Sequence, residues 1–222
     1  MYYSRVYIFY INFFVVLFHY IQIKRTILRL KDVSTIRTGL VTARKKATAV
    51  DSETVSYKAV TLKSFNPNGS LIVGNLDTFV SKEKIKETYL TQANDVLIRL
   101  REPNIALNIS EENSGLVIPS FVSSLRVDET KVDSKFLTYY LNSTTAKKAL
   151  KSSLTGTAIS MIKTKELEDL EIQLPSLEEQ KKIVEFLDLV SKEIHLLEEL
   201  KNQKEKYYQE VFNNILKKAD TK

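Results

Sequence analysis

The chain has 222 residues, with no cysteine, two histidines, five glycines, four prolines and a formal charge of +6. A disulfide framework, a thiolate metal site and a cysteine nucleophile are excluded, and a Ser-His-Asp triad would have to draw on His19 or His195, both poorly placed. The glycines at 39, 69, 74, 115 and 156 never approach G-x-G-x-x-G or a Walker loop, so the composition leans away from an enzyme.

Residues 6–23, VYIFYINFFVVLFHYIQI, carry no charge and lie between Arg5 and Lys24-Arg25. Eighteen residues approach the length that spans a bilayer. Asn12, His19, Gln22, three tyrosines and an excess of aromatic and β-branched residues make the segment a poor span. It reads as an apolar N-terminal extension ahead of the true start, over residues 1–23. A buried element and a membrane anchor are the alternatives.

Residues 24–175 read as one α+β domain. Short apolar or alternating runs predict strands at 27–30, 57–62, 95–100, 104–109, 116–118, 121–127 and 170–174. Turn chemistry separates them: Asn66-Pro67-Asn68-Gly69, Glu102-Pro103-Asn104 and Asn113-Ser114-Gly115. Helices are predicted at 134–141, with Ser134 as cap, and at 144–150. This region holds 23 basic and 17 acidic residues, whereas residues 176–222 hold nine and ten. The whole excess of positive charge therefore sits in the mixed domain, which suits a polyanionic partner.

Pro175 ends the last strand, and Ser176-Leu177-Glu178-Glu179 has the S-x-x-E form of a capping box. A long helix over 176–218 follows, with a tail at 219–222. Ile183, Leu187, Val190, Ile194, Leu197, Lys201, Lys204, Tyr208, Val211 and Ile215 recur in alternating steps of four and three. That is a coiled-coil seam roughly 50 Å long at 1.5 Å per residue. A parallel homodimer would set Lys201 and Lys204 against their own copies in a partly desolvated seam. An antiparallel pair centred near residue 199 places them opposite Leu197 and Ile194, with the ammonium groups reaching Glu198 or Glu199. The seam is therefore expected to form an antiparallel homodimer and to meet partner proteins.

The run GTAISMIKTKELEDLEIQLPSLEEQKKIV, residues 156–184, resembles the junction in specificity subunits of type I restriction-modification systems, where a target recognition domain meets a conserved helix. Lys31-Asp32-Val33, Arg37-Thr38-Gly39, Asp95-Val96-Leu97-Ile98-Arg99, Gly115-Leu116-Val117-Ile118-Pro119-Ser120 and Phe136-Leu137-Thr138-Tyr139-Tyr140-Leu141 are similar too, in the same order. The resemblance implies a small mixed β-sheet target recognition domain followed by a long coiled-coil helix. It further implies a non-catalytic, cytoplasmic subunit that reads half of a bipartite site in double-stranded DNA. Methyltransferase (M) subunits, binding S-adenosylmethionine, would then methylate adenine N6. A restriction/translocase (R) subunit, using ATP and Mg, would add cleavage. Full subunits of the family carry two recognition domains and two helices, whereas this chain carries one of each. It is thus expected either to dimerise or to be a truncated, silent recombination-donor copy. A membrane-anchored coiled-coil adaptor is the reading from a different class.

Phosphate contacts draw on Lys, Arg and exposed polar groups, and base reading favours Arg for guanine and Asn for adenine. The DNA-contact candidates on loops and strand ends are Arg37, Arg44, Lys45, Lys46, Lys63, Ser64, Asn66, Arg99, Arg101, Ser160 and Lys163. Arg99 and Arg101 share one face of an alternating segment and Glu102 takes the other.

Overall fold

The computed structural model of the chain describes residues 26–49, 51, 53–153 and 161–219. Residues 6–23 and Ser160 lie outside that set. Among the described residues no helix is long and apolar enough to cross a membrane.

The architecture is α+β, as expected: small antiparallel sheets and short helices, then one long C-terminal helix. The central sheet has the order β2 (Ser34–Thr38), β7 (Val122–Val127), β5 (Val96–Arg99), β6 (Ala106–Asn108). Its middle strand explains the uninterrupted apolar run in the sequence. Val96 and Ile98 enter the core beneath the helices, and Leu97 enters a second core on the opposite face with Leu107, Ile118 and Val122. Period-two alternation between two buried faces requires apolar residues at every position. Each such side chain contributes roughly 1.5–3 kcal/mol by leaving water.

Helices α1 (Leu30–Val33), α2 (Ser134–Asn142), α3 (Thr144–Ser153) and α4 (Thr164–Glu168) supply the first core, chiefly through Leu30, Leu137, Leu141, Leu150 and Leu167. Strand β1 (Thr26–Arg29) pairs antiparallel with β8 (Glu171–Leu174), Thr26 opposite Leu174, and so ties the start of the domain to its end. Strands β3 (Val55–Ala59) and β4 (Asp77–Ser81) form a separate hairpin over a third cluster of Leu40, Ala59, Phe79, Ile85 and Val117. Gly39 lets the chain leave β2 beside residues 118–119: a Cβ there would lie 2.3 Å from the Pro119 carbonyl oxygen, a separation no side chain tolerates.

The structure departs from the sequence expectations at several points. β2 and β4 are strands that the patterning missed, because each carries few apolar residues and gains its order from pairing with β7 and β3. Residues 116–118 form no regular strand; Val117 instead makes isolated bridges to Ala59 and Leu90. Helix α2 is capped by Asp133, whose carboxylate accepts from the Phe136 amide at 2.9 Å, and Ser134 is a buried first-turn residue.

Helix α5 (Leu177–Ala219) starts where the capping box places it. The Ser176 amide and hydroxyl donate to the Glu179 carboxylate at 2.9 and 2.7 Å, and the Ser176 hydroxyl accepts from the Glu179 amide at 3.4 Å. Its first turns dock on the domain through buried Val184 and half-buried Ile183, which both join the first core. Asp188 fastens the same face to α2, accepting from the Tyr139 hydroxyl at 2.7 Å and from Lys135 Nζ at 2.9 Å. Burial raises the Asp188 carboxyl, but the Tyr139 and Lys135 hydrogen bonds outweigh it and hold the group below the usual carboxylate range. A depressed carboxyl stabilises the fold above its unfolded pKa and loses that contribution as pH falls through the folded value. Asp188→Asn is expected to lower stability by about 1 kcal/mol at pH 7, a figure discounted for partial exposure. The difference from wild type should shrink in urea titrations as pH falls below the ordinary carboxylate range.

Candidate nucleic-acid interface

Antiparallel pairing settles which side chains of the central sheet point together. Arg37 faces Ser124 and Leu97 faces Ser124 from the other side, while Arg99 faces Val122 and Thr35 faces Arg126. Arg37, Arg99 and Arg126 therefore emerge on the sheet face turned away from the helices. Their electrostatic states differ. Arg126 forms a two-point ion pair with fully buried Asp95, Nε to Oδ1 and Nη2 to Oδ2 both at 2.9 Å. Its pKa is raised by that hydrogen bonding despite partial burial. Arg99 has no carboxylate partner among the described residues, and its Nε is buried without a hydrogen-bond partner. Burial pushes its guanidinium below the ordinary value. Arg37 is exposed.

The end of the sheet where β5 stops collects further candidates. Leu100 is buried in the helix-side core with Val96 and Ile98, so the alternation continues past the strand and keeps Arg101 on the side of Arg99. The Ile162 amide donates to the Leu100 carbonyl at 2.8 Å, and Arg101 bridges Met161. Exposed Lys163 follows directly. Thr164, at the start of α4, lies 2.9 Å from Thr38 through their hydroxyls, which brings the end of β2 to the same place. Arg37, Arg99, Arg101 and Lys163, widely separated in the sequence, thus gather around one end of one sheet.

The other candidates lie elsewhere. Residues 44–46 run beside the outer end of the β3–β4 hairpin, where the Lys82 amide donates to the Lys45 carbonyl at 3.0 Å. Arg44 and Lys46 are exposed there, but Lys45 is ion-paired with Glu83. The hydrogen bond from Lys45, and then its charge, hold Glu83 below the usual carboxylate range. The sequence offers Lys45 no local acid, and the structure corrects its standing as a free cation: its acid is 38 residues away. Lys63 is exposed, whereas Ser64 is fully buried. The Ser64 hydroxyl donates to the Thr61 carbonyl at 2.8 Å and accepts from the Thr61 amide at 2.9 Å. Its role is to close a turn, so Ser64 is removed from the DNA-contact set. Half-buried Asn66 similarly accepts from the Asn68 amide at 3.2 Å, and the turn ends at Gly69 with φ +87°.

On α5 the seam residues divide. Ile183 packs into its own domain's core, which corrects its placement in a free interface, and Leu187 and Val190 are half-buried. From Ile194 onward Leu197, Lys201, Lys204, Tyr208, Val211 and Ile215 are all exposed, Leu197 at 58% and Tyr208 at 64%. The surrounding surface adds Leu196, Leu200, Phe212 and Leu216, also exposed.

The sequence reading missed the lysines of α3. Lys147, Lys148 and Lys151 are exposed on a helix that adjoins α4 and the end of β5, with Lys151 Nζ 4.0 Å from Glu102. A plain signal marked them: residues 134–165 contain six lysines and no Asp or Glu.

The family model described as "Type I restriction modification DNA specificity domain" matches residues 24–206. The type I restriction enzyme MjaVIII specificity subunit of Methanocaldococcus jannaschii is 30% identical over 130 residues, covering 56% of this chain and 31% of that protein. In fold, the chain is similar to the HsdS subunit from Thermoanaerobacter tengcongensis, with TM-score 0.62, 15% identity, and coverage of 79% of this chain and 44% of that one. A chain from a structure describing complex assembly and conformational transition of the type I R-M system gives TM-score 0.55 at 20% identity, covering 78% of this chain and 40% of that one. The chain thus spans less than half the length of each of these relatives.

Proposed function

Because the chain belongs to the type I restriction modification DNA specificity domain family, we propose that it is a DNA-recognition subunit that reads one half-site and directs partner subunits. Recognition is assigned to the mixed domain, residues 24–175, and assembly to helix α5. The observation that carries this reading is the gathering of Arg37, Arg99, Arg101 and Lys163 at one sheet end. Two of them, Arg37 and Arg99, share a sheet face with the ion-paired Arg126. An arginine without an acid partner keeps its forked donors for a phosphate or for guanine O6 and N7. Arg44, Lys46 and Lys63 would contact phosphates from the hairpin lobe and the turn after it.

The chain itself would perform no chemistry. Methyltransferase subunits would carry S-adenosylmethionine and methylate adenine N6, and a restriction subunit with ATP and Mg would add cleavage. The assembly is cytoplasmic on this reading. In an antiparallel homodimer centred near residue 199, Lys201 lies opposite Leu197, Lys204 opposite Ile194, and Tyr208 opposite Val190 of the other copy. The distal half of each helix then covers the proximal half of its partner, where Leu187 and Val190 are still partly open. The cysteine-free sequence makes this simple to check. The Lys201→Cys variant, mixed with the Leu197→Cys variant, is expected to form the heterologous disulfide in preference to a 201–201 crosslink. The reverse preference would remove the antiparallel register.

Function is tested by co-expression with a type I methyltransferase subunit and mapping of modified adenines. A two-fold symmetric motif with a fixed gap is expected. Absence of any modified adenine, together with absence of DNA binding by the assembled complex, would overturn the reading.

A further inference from the structure

The lysines of α3 lie on a helix that carries no acid. Ala146 and Leu150 are buried, and they set the core-facing side of the helix. At about 100° per residue, Lys147, Lys151 and Lys148 follow one another over an arc of about 100°, from the flank of the helix to the side opposite the core. Lys147 and Lys151 are four residues apart, a like-charge spacing that weakens a helix. No acid on α3 offsets them.

The long helix carries acids among its lysines. There Lys182 pairs with Glu178 and Lys201 with Glu205, each at i, i+4. Elsewhere in the acid-free stretch, Lys135 pairs with Asp188 and Lys165 with Asp169. Lys147 and Lys148 have no acid partner among the described residues. The single contact of Lys151, at 4.0 Å to Glu102, joins two mostly exposed groups and is worth little. Arg101, the residue before Glu102, adds a further exposed cation at this rim. A helix face that carries three lysines and no acid, next to Arg101 at the rim where β5 ends, is complementary to a row of phosphates.

We propose that the outer face of α3, Lys147, Lys148 and Lys151, is a phosphate-contacting surface that holds the duplex against the sheet end. This rests on the DNA-recognition reading and extends it: the helix would supply sequence-independent affinity and orientation, leaving base discrimination to the arginines. Each phosphate neutralised releases condensed counterions, so log K falls with log salt by about 0.9 per contact.

The test is binding of the full chain to a mixed-sequence duplex across a salt series. Replacing the three lysines by Gln, a good helix former, is expected to reduce the slope of log K against log salt by about 2 to 3. Lys147, Lys148 and Lys151 replaced by Arg should keep the wild-type slope, because the charge and not the side-chain identity is required. Replacement of Lys181, Lys182 and Lys192 on α5 by Gln removes the same net charge elsewhere and should leave the slope unchanged. A wild-type chain that binds with a slope unaltered in the α3 Gln variant overturns this assignment alone. An equal fall in the α5 variant also overturns it. A wild-type chain with no salt-dependent binding overturns the assignment, and the same absence in the assembled complex with no modified adenine overturns the DNA reading as well.

Discussion

Gln180→Ala is expected to destabilise the chain by about 3 kcal/mol, measured by urea or thermal unfolding, given the cost of stranding buried polar groups. Gln180 is fully buried at the root of helix α5 and meets three backbone groups. Its Oε1 accepts from the Asp133 amide at 2.8 Å, and its Nε2 donates to the carbonyls of Lys131 at 3.1 Å and Pro175 at 3.0 Å. Alanine leaves one donor and two acceptors without partners in a buried site, and each such group costs about 1–3 kcal/mol before water enters to relieve it. The Asp133 amide precedes the carboxylate cap of α2, so the loss also loosens the helix on which α5 rests. Gln180→Glu separates the two halves of the interaction. A carboxylate can still accept from Asp133 but faces two carbonyl oxygens with no proton to donate. Its folded-state pKa is raised, so the stability of this variant should increase as pH falls, opposite in sign to the Asp188 effect. On the proposed function Gln180 is a positioning residue, fixing the angle between recognition domain and spacer helix. Its loss should broaden the gap in the methylated motif while leaving the half-site sequence intact, an outcome that simple destabilisation would not produce.

Asp95→Ala is expected to cost about 3 kcal/mol, the low end for breaking a buried ion pair. Asp95 is fully buried and accepts from Arg126 Nε and Nη2 and from the Gln92 amide, the last at 2.8 Å. Arg126 remains 41% exposed, so water can rescue the cation more easily than it could the carboxylate. Arg126→Ala should therefore be at least as damaging as Asp95→Ala, because it strands the buried charge. The double variant Asp95→Ala, Arg126→Met should recover part of the loss, since an unpaired charge is the main penalty and a long apolar side chain replaces the packing. Chemical denaturation of the three variants checks the order. On the proposed function the pair also bears on recognition, because it anchors β7 to the start of β5, the two strands that set where Arg99 emerges.

Helix α5 is where the sequence was most legible. A serine, a glutamate three residues later and an apolar stripe in steps of four and three specify a start, a direction and a face using only neighbours along the chain. The same locality made β5 readable, since burial on both faces leaves an unbroken apolar run, and made Gly69 and Gly115 recognisable as turns, both with positive φ. Strands β2 and β4 escaped because their order comes from a partner strand rather than from their own pattern. Among the candidate contacts, Lys45 and Ser64 misled for the same reason. Glu83 is distant in sequence, and the burial of Ser64 depends on the chain folding back over residues 61–64.

The sequence by itself determined the division into a basic mixed domain and a near-neutral amphipathic helix, because composition and periodicity are local properties that need no third dimension. Tertiary structure alone decided that Ile183 belongs to its own domain and Leu197 to an open surface, although both occupy the same heptad seam. It also decided that Arg126 is neutralised while Arg99, on the same face, is not. Charge state and exposure depend on which groups from remote segments come within a few ångströms, and that is set by packing of the whole chain.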